Sequence, residues 1–591
     1  MSTALEQASS VTGLVRENVA AHGRRAALTF VKSLDGAPED DTWTYAELDA
    51  EARKAAAWLQ AHCATGDRVL LLYPEGLHFT AAFLGCLYAG MVAVPSSLPG
   101  QYVYQRRRVT AIADDAGASA ILTDTATLPS VREWAEAEGR TATALAATDT
   151  TDTTALADPD DWSRPAQDRD TLALLQYTSG STGDPKGVMV SHGNLLHNAM
   201  CLTKPFGITD RGRFGSWIPH YHDMGLMALI VPPLLLGGAC VLMSPTTFLK
   251  RPHWWLKMID VYDLDWSPAP NFAYELCARM ITDEQLAGLD LSRWTYAPNG
   301  SEPVQAATLT AFAKRFAPAG FRGDAFAPCY GLAESTVFVS GTGPREPVVR
   351  RADAEALAND EFRVVEGSRP GRDVVSNGRA DEYDVRVVDP RTLEPLPEGR
   401  VGEIWLRGPS VAHGYWGNDA ATREVFRART ADGQEGFLRT GDLGTLHHDE
   451  ILTTGRLKEV LIIRGRNLYP QDIEYELRAQ HAELVGLFGA AFSVPYRQDT
   501  GATENLLVIA HELRGRHADA DMARLASDIK RTVSREFGAS ASGVVLVRRG
   551  GIRRTTSGKI QRTAMRDLLL AGGLNTVHLD ADPKLRTLLD A

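Results

Sequence analysis

The feature that most constrains the fold is a regular alternation of short apolar runs with helical patterns through the first 340 residues. DRVLLLYP at 67–74 predicts a buried strand, LHFTAAFLGCLYAG at 77–90 predicts a helix, and MVAVP at 91–95 predicts the next strand. Such alternation favours largely parallel sheets covered by helices. The sequence therefore predicts an α/β fold.

The pattern changes twice further along the chain. From about 380 to 455, short strand-like runs separated by glycine turns predict an antiparallel β subdomain. Strand and helix patterns return after GRLKE, and 591 residues are too many for one hydrophobic core. We therefore predict an N-terminal domain over 1–455 and a C-terminal domain over 456–591. The polar, Thr/Asp-rich stretch 141–168 is expected to be a surface connection.

Composition argues against several classes of protein. The chain has 62 Lys and Arg against 74 Asp and Glu, a net charge of −12, which disfavours a nucleic-acid partner. The six cysteines are far apart and form no CxxC pair, which is typical of reduced thiols in a cytoplasmic protein. The first residues lack the pattern of a signal peptide, so we expect a cytoplasmic location.

One uncharged segment, GLMALIVPPLLLGGACVLM at 225–243, is long enough to suggest a transmembrane helix. Two prolines and two glycines in its middle instead favour a buried helix, a turn and a buried strand. We therefore expect no stable membrane insertion.

The most informative motif is QYTSGSTGDPKGVMVSH at 176–192. Its small residues let successive backbone N–H groups converge on phosphate oxygens, and Lys186 adds positive charge. The spacing differs from the GxxxxGK(S/T) of a P-loop, which argues against a kinase or GTPase. A Gly/Ser loop alone is more often a simple turn, whereas the full string between two apolar runs is far more specific.

This string resembles the phosphate loop of the acyl-adenylating superfamily, which includes acyl-CoA synthetases, peptide-synthetase adenylation domains and luciferases. Five further segments resemble its other motifs and follow in the same order: NGSEP at 299–303, YGLAEST at 330–336, RTGDLG at 439–444, GRLKEVLIIRGRNLYPQDIE at 455–474 and RTTSGKIQR at 554–562. The resemblance implies a large N-terminal domain of two α/β layers plus a β subdomain, and a small mobile α+β C-terminal domain.

Within the superfamily the chain most resembles the fatty acyl-AMP ligases. The strings that carry this resemblance are LLLYPEGLHFTAAFLGCLYAGMVAVP at 70–95, WIPHYHDMGLM at 217–227, VSNG at 375–378 and RGRNLYPQDIE at 464–474. Asn377 departs from the pattern, because the family usually has cysteine there. In that family a charged stretch, here about 346–370, is an insertion held to obstruct CoA. A surface loop without a function is the alternative.

The resemblance also implies roles for individual residues. Those implied to bind ATP or AMP are Thr178, Ser179, Gly180, Ser181, Thr182, Gly183, Lys186, Asn299, Gly300, Ser301, Tyr330, Gly331, Asp442, Arg456 and Lys559. The implied catalytic residues are Lys559, Glu334 and His222, with Glu334 as the Mg²⁺ ligand and Lys458 as the hinge. Outside their motifs, these would be ordinary turn, core or surface residues. A zinc site at PHYHD is a weak alternative, since no third His or Cys lies near.

Seven cationic residues near the C-terminus have no acidic residue between them: Arg548, Arg549, Arg553, Arg554, Lys559, Arg562 and Arg566. Because acyl carrier proteins are typically acidic, we predict a surface that faces phosphate and docks a carrier. Solvated arginines around one functional lysine are the alternative.

Together these features predict an enzyme that uses ATP and Mg²⁺ to convert a fatty acid to acyl-AMP and pyrophosphate. The acyl group would then pass to the phosphopantetheine thiol of an acyl carrier protein in a polyketide or nonribosomal peptide pathway. The nearest alternative is an acyl-CoA synthetase. A catalytically silent nucleotide-binding scaffold is disfavoured by the presence of both Glu334 and Lys559, and a luciferase-like oxygenase is a third alternative.

Overall fold

A computed structural model describes residues 2–101, 103–150, 158–178, 185–365, 371–463, 466–497, 503–555 and 558–590. Its α-helices are Ser2–Gln7, Val11–His22, Tyr45–His62, His78–Ala89, Val103–Ala116, Leu128–Ala137, His192–Thr203, Asp223–Gly225, Val231–Leu236, Pro245–Lys250, His253–Val261, Asn271–Met280, Asp283–Ala287, Ala306–Phe316, Ala354–Ala358, Asp419–Phe426, Pro470–Gln480, Asp519–Phe537, Arg562–Leu570 and Pro583–Leu589.

The first sheet is parallel except at one edge. In spatial order its strands are Ala144–Ala147, Ala120–Thr123, Arg68–Leu72, Val92–Ser96, Leu172–Thr178 and Lys186–Ser191. Alternate residues point to opposite faces, so Val69 and Leu71 join one core cluster and Leu70 and Leu72 join another. The last two strands pair antiparallel and bring Thr178 opposite Lys186.

The strand Ala144–Ala147 corrects the expectation that 141–168 is only a surface connection. It pairs in parallel with Ala120–Thr123 at the edge of the sheet. Four residues, three of them alanine, give little strand signal, because strand formation there depends on a partner distant in sequence. Residues 151–157 of the same stretch lie outside the described residues.

The second sheet runs in the order Glu39–Thr44, Ala26–Ser33, Ala239–Met243 and Arg213–Ser216. Trp266 forms single bridges to Phe214 and Tyr296. These bridges connect the second sheet to a further sheet, whose strands are Ala297–Asn299, Phe326–Tyr330 and Ser340–Gly341.

The segment 225–243 folds as predicted. Its helix Val231–Leu236 has prolines in the first turn, where their missing N–H groups cost nothing. It ends at Gly237, whose φ of 84° reverses the chain into the buried strand Ala239–Met243. In the described part of the chain, no helix combines the length and apolar character that a membrane crossing requires.

The predicted β subdomain is present. Its strands are Asp384–Val388, Gly402–Arg407, Leu438–His447 and Glu450–Arg456, and every neighbouring pair is antiparallel. The register places Asp442 opposite Arg456. The charged stretch beside it contains the antiparallel strands Val349–Asp353 and Gly371–Val375, with the helix Ala354–Ala358 between them in sequence. Residues 366–370 lie outside the described residues.

The C-terminal part has its own hydrophobic core. Its strands are the pair Leu461–Ile463 and Arg466–Leu468, and the sheet Gly489–Arg497, Thr503–Leu513, Ala541–Arg548 and Thr576–Ala581. Helices Pro470–Gln480 and Asp519–Phe537 pack on this sheet. The predicted α/β fold with a large N-terminal and a small C-terminal part is confirmed. The predicted boundary at 455/456 falls at the end of strand Glu450–Arg456, where a turn at 457–459 follows.

Candidate active site

His222 and Asp223 form a hydrogen-bonded pair where the chain enters the buried segment 225–243. Nδ1 of His222 lies 2.7 Å from Oδ1 of Asp223, which also accepts the Met224 N–H at 2.7 Å. Nδ1 lies farther, 3.3 Å, from the Met224 nitrogen. A nitrogen that donates to Asp223 has no lone pair for that amide, so the shorter distance favours a proton on Nδ1. Nε2 of His222 is then left for a ligand.

Lys559 lies in a loop of the C-terminal part, and its charge acts on Asp223 of this pair. Burial and the charge of Arg456 lower the pKa of Lys559. Asp223, Asp442 and Glu302 act in the opposite direction. Burial alone would raise the pKa of Asp223, but His222 and Lys559 reverse the shift and lower it to about 2. The charges of three acidic side chains of the N-terminal part thus oppose the effect of burial on the pKa of Lys559.

The loop of Lys559 is held together by backbone hydrogen bonds between the residues on its two sides. Arg554 and Ile560 form an antiparallel bridge, and the Thr555 N–H donates to the Lys559 carbonyl at 2.8 Å. The Lys559 N–H donates to the Thr555 hydroxyl at 3.0 Å. Gly558 adopts a φ of 89°, a conformation that favours glycine just before the lysine. Residues 556–557 of the motif lie outside the described residues.

Tyr330, Asp442 and Arg456 form one hydrogen-bonded cluster. The Tyr330 hydroxyl donates to Oδ2 of Asp442 at 2.8 Å, and Nε of Arg456 donates to Oδ1 at 3.1 Å. Burial, and then the Asp442 charge, raise the pKa of Tyr330, so the phenol stays protonated and donates. Each carboxylate oxygen can accept a further bond, so Asp442 can still receive hydroxyl groups.

Glu334 contacts a residue that sequence reasoning missed. Tyr415 donates its hydroxyl proton to Oε1 of Glu334 at 2.8 Å, and Nζ of Lys186 lies 4.9 Å from the centre of the Tyr415 ring. The segment around Tyr415 pairs with the strand Lys186–Ser191. A tyrosine in HGYWG gave no signal of its own, because its partners are distant in sequence.

The carboxylate of Glu334 fits a hard cation such as Mg²⁺. Burial raises the pKa of Glu334, and the hydrogen bond from Tyr415 opposes that shift. A nearby cation would offset the cost of burying this charge. Mg²⁺ commonly uses one or two protein carboxylates together with substrate phosphates. No cluster of three or more candidate metal-binding side chains is found among the described residues.

The backbone between these groups is tightly constrained. A Cβ atom on Gly331 would lie 1.7 Å from the Val337 carbonyl oxygen, so glycine is required. Ser301 has a φ of 69° and Thr336 a φ of 71°. Such conformations in non-glycine residues cost of order 1–3 kcal/mol and cluster at functional sites.

The remaining predicted residues differ in how they are placed. Asn299 is fully buried, and its Nδ2 donates to Oδ1 of Asn271 at 3.3 Å. This bond fixes the start of the NGSEP segment. Gly300 packs against the Cys329 carbonyl. Lys458 is exposed in the turn at 457–459. Ser179, Gly180, Ser181, Thr182 and Gly183 lie outside the described residues.

The predicted basic surface needs a correction. Arg562 is not part of it: the guanidinium makes two bonds of 2.7 Å to the buried carboxylate of Glu474 and also contacts Glu459. Arg554 stacks on Phe488 with 3.9 Å between the guanidinium carbon and the ring centre. The acids were missed because Glu474 and Glu459 precede Arg562 by 88 and 103 residues. Arg548, Arg549 and Arg553 are exposed.

Comparisons with known proteins identify the family of this chain. A family model described as AMP-binding enzyme matches residues 15–416. The chain is 42% identical over 560 residues to the medium-chain-fatty-acid–acyl-carrier-protein ligase JamA of Moorena producens, covering 93% of each chain. It is 38% identical over 589 residues to the long-chain-fatty-acid–AMP ligase FadD26 of Mycobacterium marinum, covering 96% of this chain and 99% of FadD26.

A solved structure matches over almost the whole length. The fatty acyl-adenylate ligase from L. pneumophila, in complex with acyl adenylate and pyrophosphate, is 36% identical with a TM-score of 0.74. The match covers 98% of both chains. The chain therefore belongs to the AMP-binding enzymes and, among them, to the fatty acyl-AMP ligase family.

Proposed function

We propose that this enzyme activates a fatty acid with ATP and transfers the acyl group to the phosphopantetheine thiol of an acyl carrier protein. The observation that carries the proposal is the hydrogen-bonded cluster of Tyr330, Asp442 and Arg456. The charges of Asp442 and Arg456 act on Lys559 of the C-terminal part. The names of JamA and FadD26 support a fatty acid as substrate, and that of JamA supports a carrier protein as acceptor.

In the first half-reaction, an oxygen of the fatty-acid carboxylate forms a bond to the α-phosphorus of ATP. The bond from that phosphorus to pyrophosphate breaks, and pyrophosphate leaves with the electron pair. Both reactants are anions, so the site must supply positive charge and alignment. The charged amine of Lys559 bridges carboxylate and α-phosphate oxygens, and His222, oriented by Asp223, contacts the same region.

The nucleotide is held by the cluster built on the β subdomain. Asp442 accepts the ribose hydroxyls, and Tyr330 packs on adenine. Arg456 donates to Asp442 at 3.1 Å and so fixes the position of its carboxylate. Lys186 and the segment 178–183 bind phosphate. Glu334 would hold Mg²⁺, and the ion, when bound, would neutralise phosphate charge.

In the second half-reaction, the carrier thiol loses its proton to solvent and its sulfur forms a bond to the acyl carbon. The bond from that carbon to the AMP oxygen breaks, and AMP leaves. Lys559 occupies the site during the first step, so it must move to admit the thiol. Lys458 lies in an exposed turn between the β subdomain and the C-terminal part, where a hinge would act. The use of ATP fits the cytoplasmic location that the sequence predicts, which stays a prediction.

One experiment tests substrate and acceptor together. The enzyme is incubated with ATP, Mg²⁺ and a panel of fatty acids of increasing chain length, with either CoA or a phosphopantetheinylated carrier protein. Mass spectrometry should detect acyl-AMP with the preferred acids and acylated carrier protein in the second arm. Equally efficient acyl-CoA formation would favour an acyl-CoA synthetase. Binding of ATP without pyrophosphate release for any acid would favour a silent scaffold.

A further inference from the structure

We propose that Arg562 is a positioning residue that fixes the loop of Lys559 relative to the hinge turn, residues 457–459. This inference rests on the proposed function, because it takes Lys559 as the adenylating lysine and Lys458 as the hinge. Arg562 ends the motif RTTSGKIQR, three residues after Lys559. Its side chain is only 14% exposed, and the proposed mechanism gives this charge no role.

Glu474 anchors Arg562 to the core of the C-terminal part. Nε and Nη2 of Arg562 donate to Oε1 and Oε2 of Glu474, both at 2.7 Å, so the two groups form a bidentate pair. Oε1 of Glu474 also accepts the Ala491 N–H at 2.9 Å, and the Glu474 side chain is 4% exposed. Bidentate pairs fix geometry as well as charge. The helix Pro470–Gln480, which carries Glu474, and the strand Gly489–Arg497 therefore set the position of the guanidinium.

The third nitrogen of the same guanidinium contacts the hinge turn. Nη1 of Arg562 donates to Oε2 of Glu459, the residue after Lys458. The Glu459 N–H donates to the Arg456 carbonyl at 3.0 Å, which closes the turn. The Arg456 side chain in turn donates to Asp442 at 3.1 Å. A continuous series of contacts therefore runs from Arg562 through Glu459 and Arg456 to the proposed ribose site.

The chain between Lys559 and Arg562 is short and held by a backbone hydrogen bond. Only two residues, Ile560 and Gln561, separate them. The Gln561 N–H donates to the Arg553 carbonyl at 3.0 Å, which ties this segment to the other side of the loop. Because the segment is too short to absorb a shift, a displacement of Arg562 also displaces Lys559. Misplacement of a reacting group by about 1 Å can cost about 100-fold in rate.

The test changes Glu459 rather than Glu474. Removing Glu474 would leave the guanidinium buried beside a lost partner, which destabilises the fold. Glu459 is 29% exposed, so its replacement affects folding less. We expect Glu459→Ala to lower kcat for pyrophosphate release about tenfold and to change KM for ATP less, because Lys559 acts on the reacting oxygens. Glu459→Gln keeps an oxygen that can accept from Nη1, so it should retain most of the wild-type rate.

Two measurements separate this role from a structural one. Transfer from preformed acyl-AMP to a carrier should proceed at the wild-type rate in Glu459→Ala, because Lys559 is not needed for that step. In an Arg562→Lys background, Glu459→Ala should cause little further loss, because lysine lacks the planar fork that contacts both carboxylates. The control Glu483→Ala, at an exposed glutamate of the C-terminal part, should leave both half-reactions unchanged.

Three outcomes would overturn the inference: an unchanged rate of pyrophosphate release in Glu459→Ala, an equal loss in both half-reactions, or additive losses when Glu459→Ala and Arg562→Lys are combined. Absence of acyl-AMP formation by wild type would instead overturn the proposed function.

Discussion

Asn377 links the two strands that carry the proposed nucleotide-binding residues. Its Nδ2 donates to the Cys329 carbonyl at 3.3 Å, one residue before Tyr330. Its Oδ1 accepts the Thr453 hydroxyl proton at 3.0 Å, in the strand that ends at Arg456. The cysteine that is usual in the family has a single sulfur atom in its side chain. It cannot replace both the Nδ2 donor and the Oδ1 acceptor of an asparagine. The departure from the family pattern thus has a structural role in this chain.

We predict that Asn377→Ala raises KM for ATP several-fold and changes kcat less. The variant leaves the Cys329 carbonyl and the Thr453 hydroxyl without this partner, at a cost of about 1–3 kcal/mol for buried groups. Steady-state kinetics of pyrophosphate release measures both parameters. Asn359→Ala, at an exposed asparagine that bonds within its own helix, is the matched control. Unchanged KM values in both variants would show that the link does not position the nucleotide site.

Sequence reasoning found the residues whose motifs are local and missed those whose partners are distant. Asp442 and Arg456 each lie in a recognisable string, and the structure brings them together at 3.1 Å, while their roles in nucleotide binding stay predictions. Tyr415 could not, because its partner Glu334 is 81 residues away and only the fold brings the two together. The position of Arg562 was predicted wrongly for the same reason, since Glu474 precedes it by 88 residues.

At the scale of elements, the charged stretch between YGLAEST and VSNG connects the β subdomain to the C-terminal part. Asn467 donates to Asp360 at 2.9 Å, and Arg372 forms an ion pair with Asp472 at 3.0 Å. An apolar cluster joins residues of all three regions: Ala352, Leu357, Phe362, Val374, Val401, Leu443, Leu452 and Tyr469. The stretch is therefore packed structure, which makes the loop without a function a weaker explanation.

These contacts suggest a milder variant than deletion of 346–370. Deletion would remove buried side chains such as Leu357 and Phe362, and each large-to-small loss in a core costs about 2–5 kcal/mol. We predict instead that the double variant Asp360→Ala/Arg372→Ala keeps acyl-AMP formation and permits detectable acyl-CoA synthesis. A tenfold change in acceptor preference needs only about 1.4 kcal/mol.

Mass spectrometry of reactions with CoA measures the outcome. Arg363→Ala, which removes an exposed pair with Glu361, is the control and should behave as wild type. Normal adenylation by the double variant without any acyl-CoA would place the barrier to CoA elsewhere.

The elements themselves were predicted best where the pattern was strong. The run 67–95 and the segment 225–243 fold as their periodicity indicated. The strand Ala144–Ala147 was not predicted, because an edge strand of small residues has no periodicity that distinguishes it from a loop.

At the scale of the whole molecule, buried neutral histidines make stability depend on pH. Burial lowers the pKa of His192 to about 4, of His220 to about 3 and of His511 to about 4. The unfolded chain binds protons below the ordinary histidine pKa of about 6.5, whereas the folded chain resists them. Stability is therefore complete above that pH and is lost as the pH falls toward the folded pKa values. Each of these histidines lowers the free energy of unfolding by roughly 2 kcal/mol at pH 5, relative to its value at neutral pH.

We predict that the thermal unfolding midpoint falls between pH 7 and pH 5, and that His511→Asn reduces this fall. Nδ1 of His511 lies 2.9 Å from the Glu512 carbonyl oxygen, and an asparagine amide can donate in its place. His517→Asn, at an exposed histidine, should show the same fall as wild type. If the unfolding midpoint of His511→Asn falls as far as that of wild type, the burial of His511 is not a cause of the fall.

In the proposed function, Lys559 carries adenylation and is dispensable for transfer. The most direct measurement is the single-turnover rate of pyrophosphate release and of carrier loading for wild type, Lys559→Ala and the exposed-lysine control Lys250→Ala. Loss of a charged contact in the transition state should slow pyrophosphate release by Lys559→Ala about 100-fold or more. The same variant should load the carrier normally from preformed acyl-AMP. Pyrophosphate release by Lys559→Ala at the wild-type rate would contradict the account.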